Sequence, residues 1–545
     1  IKLQEKEFFQ SRSTEIANAP NAAARKRLIK NLKESNPKLH EAFSQALHSS
    51  EPASKFIRES KRYPLTGRGD INTYSIFSEV IKDTLNEKGS AGYIVPTGIA
   101  TDDTNKYFFA DLVESGRLLS LFDFENRKAI FENVHRSYKF CLLSIGSPQK
   151  ERHSTFGFFL HDVLDLQDKR RVFTLSKDDF LNINPNTKTT PIFRTKQDAE
   201  LTAKIYSRVP VLVNEEKEQN PWGISCMRMF DMSNDSNLFR TEDELSEAGY
   251  QLRGNRFING EDIWLPLYES KMIWHYDHRF GTYEGVESRT STQTPTPTEE
   301  QYQNPGLKIK PWYWVEQREV IFIISDCPQK LKEAWKNLDL EKAIAYKRVW
   351  LAGFWLQRND RNKALGLIKK AAEVLAISEQ TLKNFSKEWS KQYLLSFDDE
   401  AELSEIISLK ALEEFIFDRS PKWFLGFRNI TNTTNERSAI FSLAPLSAVG
   451  HSLPLVFSSA WRSLFSILSA QTTSIVYDYV VRQKLGGTNM TYGYLNQFTI
   501  LAPALVSEEM KKLLLPLQAE LVYTSWDIKA FADDLWKEAD EEIKA

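Results

Sequence analysis

Cysteine is scarce in this chain: Cys141, Cys226 and Cys327 are the only three in 545 residues, and they stand far apart with no paired spacing. That excludes a disulfide framework and a zinc ribbon alike, and it fits packing residues in a reducing cytoplasm. Charge of one sign is lacking too, with 71 Lys and Arg against 73 Asp and Glu for a net of -2. Without a global basic footprint, any nucleic-acid binding has to come from a local groove. Long hydrophobic runs are missing as well. The most apolar region, 453–481, is interrupted by Arg462, Gln471 and many hydroxyls, falls short of a membrane span and gives no membrane role. The common catalytic signatures are absent: no G-x-x-x-x-G-K-[ST] loop, no G-x-S-x-G elbow, and no G-x-G-x-x-G after a strand.

What is present is a large chain, 41% hydrophobic, whose length suggests roughly three or four domains. Its 34 Phe, 19 Tyr and 13 Trp read mostly as core, although flat side chains can also stack on bases. The opening "IKLQEKEFFQ" is charged and helix-like, not the apolar core of a signal peptide, and a start at Ile1 suggests that part of the protein precedes it. Helices punctuated by Pro20 and Pro37 are expected over 1–60. Over 61–165 the pattern alternates. Tyr74 to Leu85 sets Phe77, Val80, Ile81 and Leu85 on one helical face, and Gly89 and Gly92 lead into the strand "AGYIVP". A helix, "TNKYFFADLVESG", separates this from the strand "LLSLFDF", the loop "ENRKAIFENVHRSY" and the strand "KFCLLSIG". Apolar strands alternating with helices predict α/β architecture with a mostly parallel sheet, half of a doubly wound domain. From Thr155 to about Arg318 the pattern is less regular, with short strands "FGFFL", "RVFTL", "MIWHYD" and "WYWV" and an exposed Thr/Pro-rich loop, and a mixed α/β segment is placed over 166–325. Helices are expected over 326–400, a mixed segment over 401–505 and a helical tail over 506–545.

Several short motifs carry more than one reading. Arg68-Gly69-Asp70 is the tripeptide of integrin ligands, but the secreted, disulfide-rich context of adhesion is missing. His275 and His278, three apart in "HYDH", are two metal-type ligands without a third. Asp262, Glu269 and Lys271 form the acid and E-x-K pattern of metal-dependent nucleases, but E-x-K is common in charged chains and a solvated strand edge is the favoured reading. "QNPWG" lacks the second proline of an amino-methyltransferase tetrad.

Taken together, "GRGDINTYSIFSEVIKDTLNEKGSAGYIVPTGIA" and "LLSLFDFENRKAIFENVHRSYKFCLLSIG" resemble the second half of the catalytic domain of gamma-class adenine-N6 DNA methyltransferases. The similarity is to the large type IIG restriction-modification methylases and the methylases of BREX- and DISARM-type phage defence. The resemblance implies a Rossmann-like domain followed by a target-recognition region. It also implies S-adenosylmethionine as cofactor, double-stranded DNA and other defence-system subunits as partners, and base flipping, because N6 is inaccessible inside a duplex. By the same resemblance Asn72, Tyr74 and Pro96 lie on the cofactor side of the cleft, and Phe131 stacks on the flipped adenine. The family's Gly-containing cofactor turn and Asn-Pro-Pro-aromatic tetrad do not occur, so this chain by itself is expected to be inactive. A non-catalytic DNA-specificity or scaffold subunit is the alternative. "ERSAIFSLAPLSAVGHSLPLVF" and "LSAQTTSIVYDYVVRQKLGGTNMTYGYLNQFTILAP" resemble the end of the recognition region. There Arg482, Lys484, Gly486, Gly487, Thr488 and Asn489 form a phosphate-facing turn or, equally, a Gly-capped helix end. Arg228, His275, Asp277 and Arg279 are further candidates for DNA contact.

Overall fold

The structure is a computed structural model, and the residues it describes are 3–19, 22–289, 294–395, 408–433, 435–459, 462–485, 488–539 and 541. Pro20, Gly486 and Gly487 lie outside them, as does part of the Thr/Pro-rich segment. The chain forms two compact units. The first comprises Ile1–Asn220, Tyr479–Gly486 and Gly493–Leu501; the second comprises Pro221–Asp478, Gly487–Tyr492 and Ala502–Ala545.

In the first unit, helices α1 (Ala22–Ser35) and α2 (Pro37–Glu59) follow two shorter ones. Asn36 caps α2 by accepting from Leu39 N–H at 3.2 Å, and Pro37 sits where a helix needs no backbone donor. Phe9, Ile16, Ile29, Leu32 and Phe43 form a small core of their own among these helices.

A five-stranded sheet follows: β1 (Ala91–Pro96), β2 (Leu118–Glu125), β3 (Lys139–Ile145), β4 (Ser154–Leu160) and β5 (Phe173–Leu175), in the order β1-β3-β2-β4-β5. The expected mostly parallel pairing is corrected: β3 is antiparallel to both β1 and β2, β5 is antiparallel to β4, and only β2 with β4 is parallel. The physical reason lies in β3. Strands β1 and β2 do run the same way, as the helix α4 (Lys106–Glu114) between them suggests, but β3 turns back and inserts between them. Alternation reports the direction of a crossover and not which strand fills the gap. Because β5 completes this sheet, the sheet continues past residue 165.

Helix α3 (Thr73–Thr84) also departs from expectation. Phe77 is 64% exposed, while Ser75, Ile76, Ser78 and Glu79 are buried. The buried Glu79 carboxylate accepts from Leu65 N–H, Thr66 N–H and the Thr66 hydroxyl at 3.1, 2.9 and 2.5 Å. A fully hydrogen-bonded acid thus takes the inner face that apolarity alone assigns to Phe77. The Arg68-Gly69-Asp70 turn lies between those donors and the helix.

The second unit has two sheets and a helical layer. Strands β7 (Gln251–Arg253), β8 (Arg256–Asn259), β9 (Asp262–Tyr268) and β10 (Trp314–Glu316) pair in the order β10-β9-β8-β7, and β13 (Ala448–Val449) adds to β9 in parallel. Strands β6 (Ser225–Met227), β11 (Trp423–Phe427), β12 (Phe441–Pro445) and β14 (Leu455–Phe457) form the other sheet, order β12-β11-β14-β6. Helices α5 (Leu340–Gln357), α6 (Arg361–Leu375) and α7 (Glu379–Gln392) bury Trp350, Ile368 and Leu382 in one core with Leu265, Leu267 and Leu455. Gly353 lets α5 approach α7: a Cβ there would lie 1.9 Å from the Ser386 carbonyl oxygen. The stretch "MIWHYD" is a tight turn instead of a strand. Trp274 and Asp277 exchange both backbone hydrogen bonds, and Tyr276 sits at φ +63°.

Candidate functional site

In register across the first unit's sheet, Pro96 faces Phe140, Phe140 faces Phe124, and Phe124 faces Leu160. This row closes one rim of the sheet, and it is where β1, β2 and β4 all end. Carboxyl ends of parallel-running strands are where open α/β sheets hold ligands, because the following loops are free to diverge there.

The loop leaving β2 carries Phe131. Its geometry is set by Asn126, whose buried amide donates to the carbonyls of Phe131 and Val134 at 2.9 and 2.7 Å and accepts from Phe131 N–H at 2.9 Å. Phe124 and Phe140 stack at 5.5 Å, and Phe131 meets Phe140 edge-on at 4.9 Å. Phe131 is thereby fixed by its neighbours yet 38% exposed, an aromatic held at a rim and not consumed by the core.

Beneath the rim, the buried Asp123 carboxylate accepts from the Thr97 hydroxyl at 2.5 Å and from Phe159 N–H at 3.2 Å, tying the ends of β1 and β4 together. Burial raises its pKa, an effect only partly offset by the Thr97 hydrogen bond and by Lys139. After β1, Asn105 donates to the Tyr74 hydroxyl at 3.2 Å and to the Gly98 carbonyl at 2.9 Å. Gly98 leaves the Asp102 carboxylate and the Tyr74 hydroxyl room that a Cβ would fill. Desolvation raises the pKa of both Tyr74 and Asp102.

Of the residues singled out from the sequence, Pro96 and Phe131 come together through Phe140, and Tyr74 joins Gly98, Asn105 and Asp102. Asn72 is exposed and starts α3 without a side-chain cap hydrogen bond. Two candidates for DNA contact are corrected, because their charges are used internally. The Lys484 side chain is buried, 6% exposed, and donates to the carbonyls of Ile183 and Gln497, and desolvation depresses its pKa strongly. Arg279, 1% exposed, donates to the carbonyls of Asn304 and Thr524. Arg482 is partly buried near the end of the helix Ile475–Lys484, and Thr488 and Asn489 are exposed.

In the second unit, Arg228 lies 5.6 Å from the Tyr492 ring, and Arg428 lies 4.8 Å from Trp274, which stacks on Phe280 at 5.1 Å. His275 is in the turn beside Trp274, with both ring nitrogens buried and, among the described residues, without hydrogen-bond partners. Its pKa is pushed down to about 4, by burial first and then by Arg437 and Arg428 against the opposing pull of Asp478. His278 is occupied elsewhere, facing Asp527 at 3.1 Å. Asp262 and Glu269 stand at opposite ends of β9, roughly 20 Å apart by strand rise, too far to share one ion. Glu269 instead accepts from Tyr283 at 2.9 Å. Among the described residues no group of three His, Cys, Asp or Glu is placed to hold a metal, and no helix is long and apolar enough to cross a membrane.

Sequence reasoning missed Asn126, Asp123, Glu79 and Asn105. For Asn126 the signal was available: an amide directly after a buried strand, at the mouth of a loop, is the residue type that satisfies stray loop backbone.

No protein-family model and no curated protein matches the sequence. Among solved structures, the chain is similar to the type IIG restriction endonuclease BpuSI at 12% identity and a TM-score of 0.28, covering 89% of this chain and 51% of that one. It is also similar to the type IIL restriction-modification enzyme MmeI, solved in complex with DNA, at 11% identity and a TM-score of 0.33, covering 86% of this chain and 47% of that one. The chain thus spans about half the length of both, and at these scores the likeness carries no argument about activity.

Proposed function

We propose that this chain is part of a restriction-modification or phage-defence enzyme that methylates adenine N6 in duplex DNA, with S-adenosylmethionine as donor. The observation that carries the reading is Phe131, held by Asn126 and Phe140 at the carboxyl rim and left exposed. A base swung out of a duplex loses its stacking, and an aromatic face restores roughly 1–3 kcal/mol of it. Tyr74, Asn105 and Asp102 gather polar atoms one loop away.

S-adenosylmethionine would supply an electrophilic methyl group to the amine. Of the three residues the resemblance places on the cofactor side, Tyr74 is already engaged by Asn105, Asn72 makes no side-chain cap hydrogen bond, and Pro96 has no polar side chain, so they do not form a complete site for it. Cofactor binding by this enzyme therefore requires residues beyond these three. Two features support a further body against this edge of the sheet: β1 pairs only with β3 among the described residues, and Ile94 and Phe77 are 54% and 64% exposed. In this reading the target-recognition surface lies in the second unit, where Arg228 offers an exposed cation and Trp274 and His275 offer flat rings, while Arg428 is half-buried and donates to the Ile273 carbonyl.

The test is methyl transfer by the full-length protein to duplex DNA. Phe131→Ala is expected to lower the rate roughly ten- to hundredfold, the equivalent of the lost stacking. Unchanged transfer, with unchanged 2-aminopurine fluorescence at the target position, removes Phe131 from the mechanism. DNA binding without transfer under any condition leaves the specificity-subunit alternative.

A further inference from the structure

Beside the Phe131 loop the first unit contains a second feature, a cavity of about 430 Å3 lined by Arg127, Phe159, His161, Arg171 and Arg194. It is built, and at a conformational cost. Between the pairs Phe122–Gly157 and Phe124–Leu160, β2 advances two residues while β4 advances three, so β4 carries a bulge. Phe159 is in that bulge at φ +54°, a left-handed conformation that aromatic residues rarely adopt. A bulge turns a side chain off its expected face. Here it leaves the Phe159 ring against two cations, the Lys139 ammonium 4.6 Å and the Arg194 guanidinium 4.4 Å from its centre. The backbone is held in this state from both sides, since Phe159 N–H donates to Asp123 and its carbonyl accepts from Arg171 at 2.5 Å.

The acids that line the pocket, Glu125 and Asp168, are already matched, and so is Asp165 behind Arg171. Glu125 faces Arg127 at 2.8 Å and His161 at 3.0 Å, Asp168 takes both arms of Arg170 at 3.0 and 2.9 Å, and Asp165 takes Arg171 at 2.9 Å. Burial opposes ionisation of Glu125, yet His161, Lys139 and Arg127 outweigh it and hold its pKa below the usual range. Arg194 is the exception: its guanidinium is exposed and, among the described residues, meets the Phe159 ring and no carboxylate. A cation positioned by an aromatic ring at the mouth of an otherwise neutralised pocket is short of one anion.

We propose that this pocket binds a backbone phosphate of the DNA strand that presents its base to Phe131, with Arg194 as the principal contact. This rests on the proposed reading of the chain as a DNA-modifying protein. The topology ties the two features together. Arg127, which lines the pocket, opens the loop that carries Phe131, and Lys139, over the Phe159 ring, follows that loop's end. A strand whose base enters at Phe131 must bring its neighbouring phosphates past both ends of the loop. Arginine suits the task because its planar fork gives two parallel hydrogen bonds to phosphate oxygens.

The experiment is fluorescence anisotropy of a labelled duplex with the full-length protein across a salt series, comparing wild type, Arg194→Gln, Arg194→Lys and the exposed control Arg208→Gln. Expected are weaker binding by Arg194→Gln with the log-log salt slope reduced by about 0.9, one phosphate's share of counterion release. Arg194→Lys should keep the slope, and Arg208→Gln should match wild type. Wild-type binding with an unaltered slope in Arg194→Gln overturns the phosphate subsite and leaves the DNA reading standing. Wild type that binds no duplex at any salt sinks both. In a parallel arm, adenosine monophosphate that binds in an Arg194-dependent manner, while duplex binding ignores Arg194, assigns the pocket to a free nucleotide and overturns the strand assignment.

Discussion

Asn126 and Phe131 are joined by a reciprocal pair of hydrogen bonds: the Asn126 side-chain oxygen accepts from Phe131 N–H, and its amide nitrogen donates to the Phe131 carbonyl, each at 2.9 Å. With the bond to Val134, one buried side chain closes the loop. Replacing it with Ala strands backbone groups that the loop cannot turn to water without opening. Asn126→Ala is expected to destabilise the protein by about 2–4 kcal/mol and, on the proposed reading of the chain, to lower methyl transfer as much as Phe131→Ala does. Urea unfolding and a transfer assay check the two effects. Loss of stability with full activity would show that the loop does not need its latch to present Phe131.

His275 carries a pH signature. Its folded pKa of about 4 lies below the ordinary 6.5, so between those values the unfolded chain binds the proton more readily than the folded one. Stability contributed by the neutral ring is full above 6.5 and is lost as pH falls toward 4. Carboxylates titrate over part of the same window, so a comparison isolates the histidine. In His275→Gln the difference between urea midpoints at pH 7 and pH 5 should be smaller than in wild type. An equal difference in both proteins would mean that His275 is not held neutral.

The pattern of apolar residues made the strands legible: "AGYIVP", "LLSLFDF" and "KFCLLSIG" fall on β1, β2 and β3 almost residue for residue. Local pattern was blind to the insertion of β3 between β1 and β2, because pairing partners are chosen across the sheet and not along the chain. It was equally blind to buried charge. Glu79, Arg279 and Lys484 each read as surface residues by type and are inside because backbone groups distant in sequence satisfy them. Phe159 was visible only as one aromatic in "FGFFL". Its value to the pocket depends on a bulge set by β2, which no property of its own segment announces.

Gly353 is a packing requirement with a sharp test. A methyl group there would sit 1.9 Å from the Ser386 carbonyl oxygen and 2.8 Å from the Ser390 Cβ, so α5 and α7 would have to separate. That contact also contains the bond from Gln357 to the Ser390 carbonyl at 3.0 Å. In an isolated helix Gly→Ala gains roughly 1 kcal/mol, whereas overpacking a tight interface costs about 1–3 kcal/mol or more. The interface should win. Gly353→Ala is expected to lower the thermal midpoint, and Gly366→Ala, where nothing lies within 4 Å of the added methyl, to raise it slightly. A raised midpoint in Gly353→Ala would mean that the two helices are not so closely joined.

Lys484 is a structural cation, in contrast to the proposed phosphate contact Arg194. Its ammonium donates to the Ile183 and Gln497 carbonyls and lies 4.3 Å from the centre of the Tyr206 ring, whose hydroxyl donates to the same Gln497 carbonyl at 2.8 Å. Removing the donor leaves the Ile183 carbonyl unsatisfied and Gln497 with one partner fewer, at about 1–3 kcal/mol for a buried orphan. Because the ammonium is enclosed, it releases no counterion when DNA binds. Lys484→Ala is therefore expected to lose stability in urea while keeping the wild-type salt slope for duplex binding, the reverse of Arg194→Gln. A reduced slope with unchanged stability would return Lys484 to the DNA surface, and would require the helix end that carries it to open when the duplex arrives.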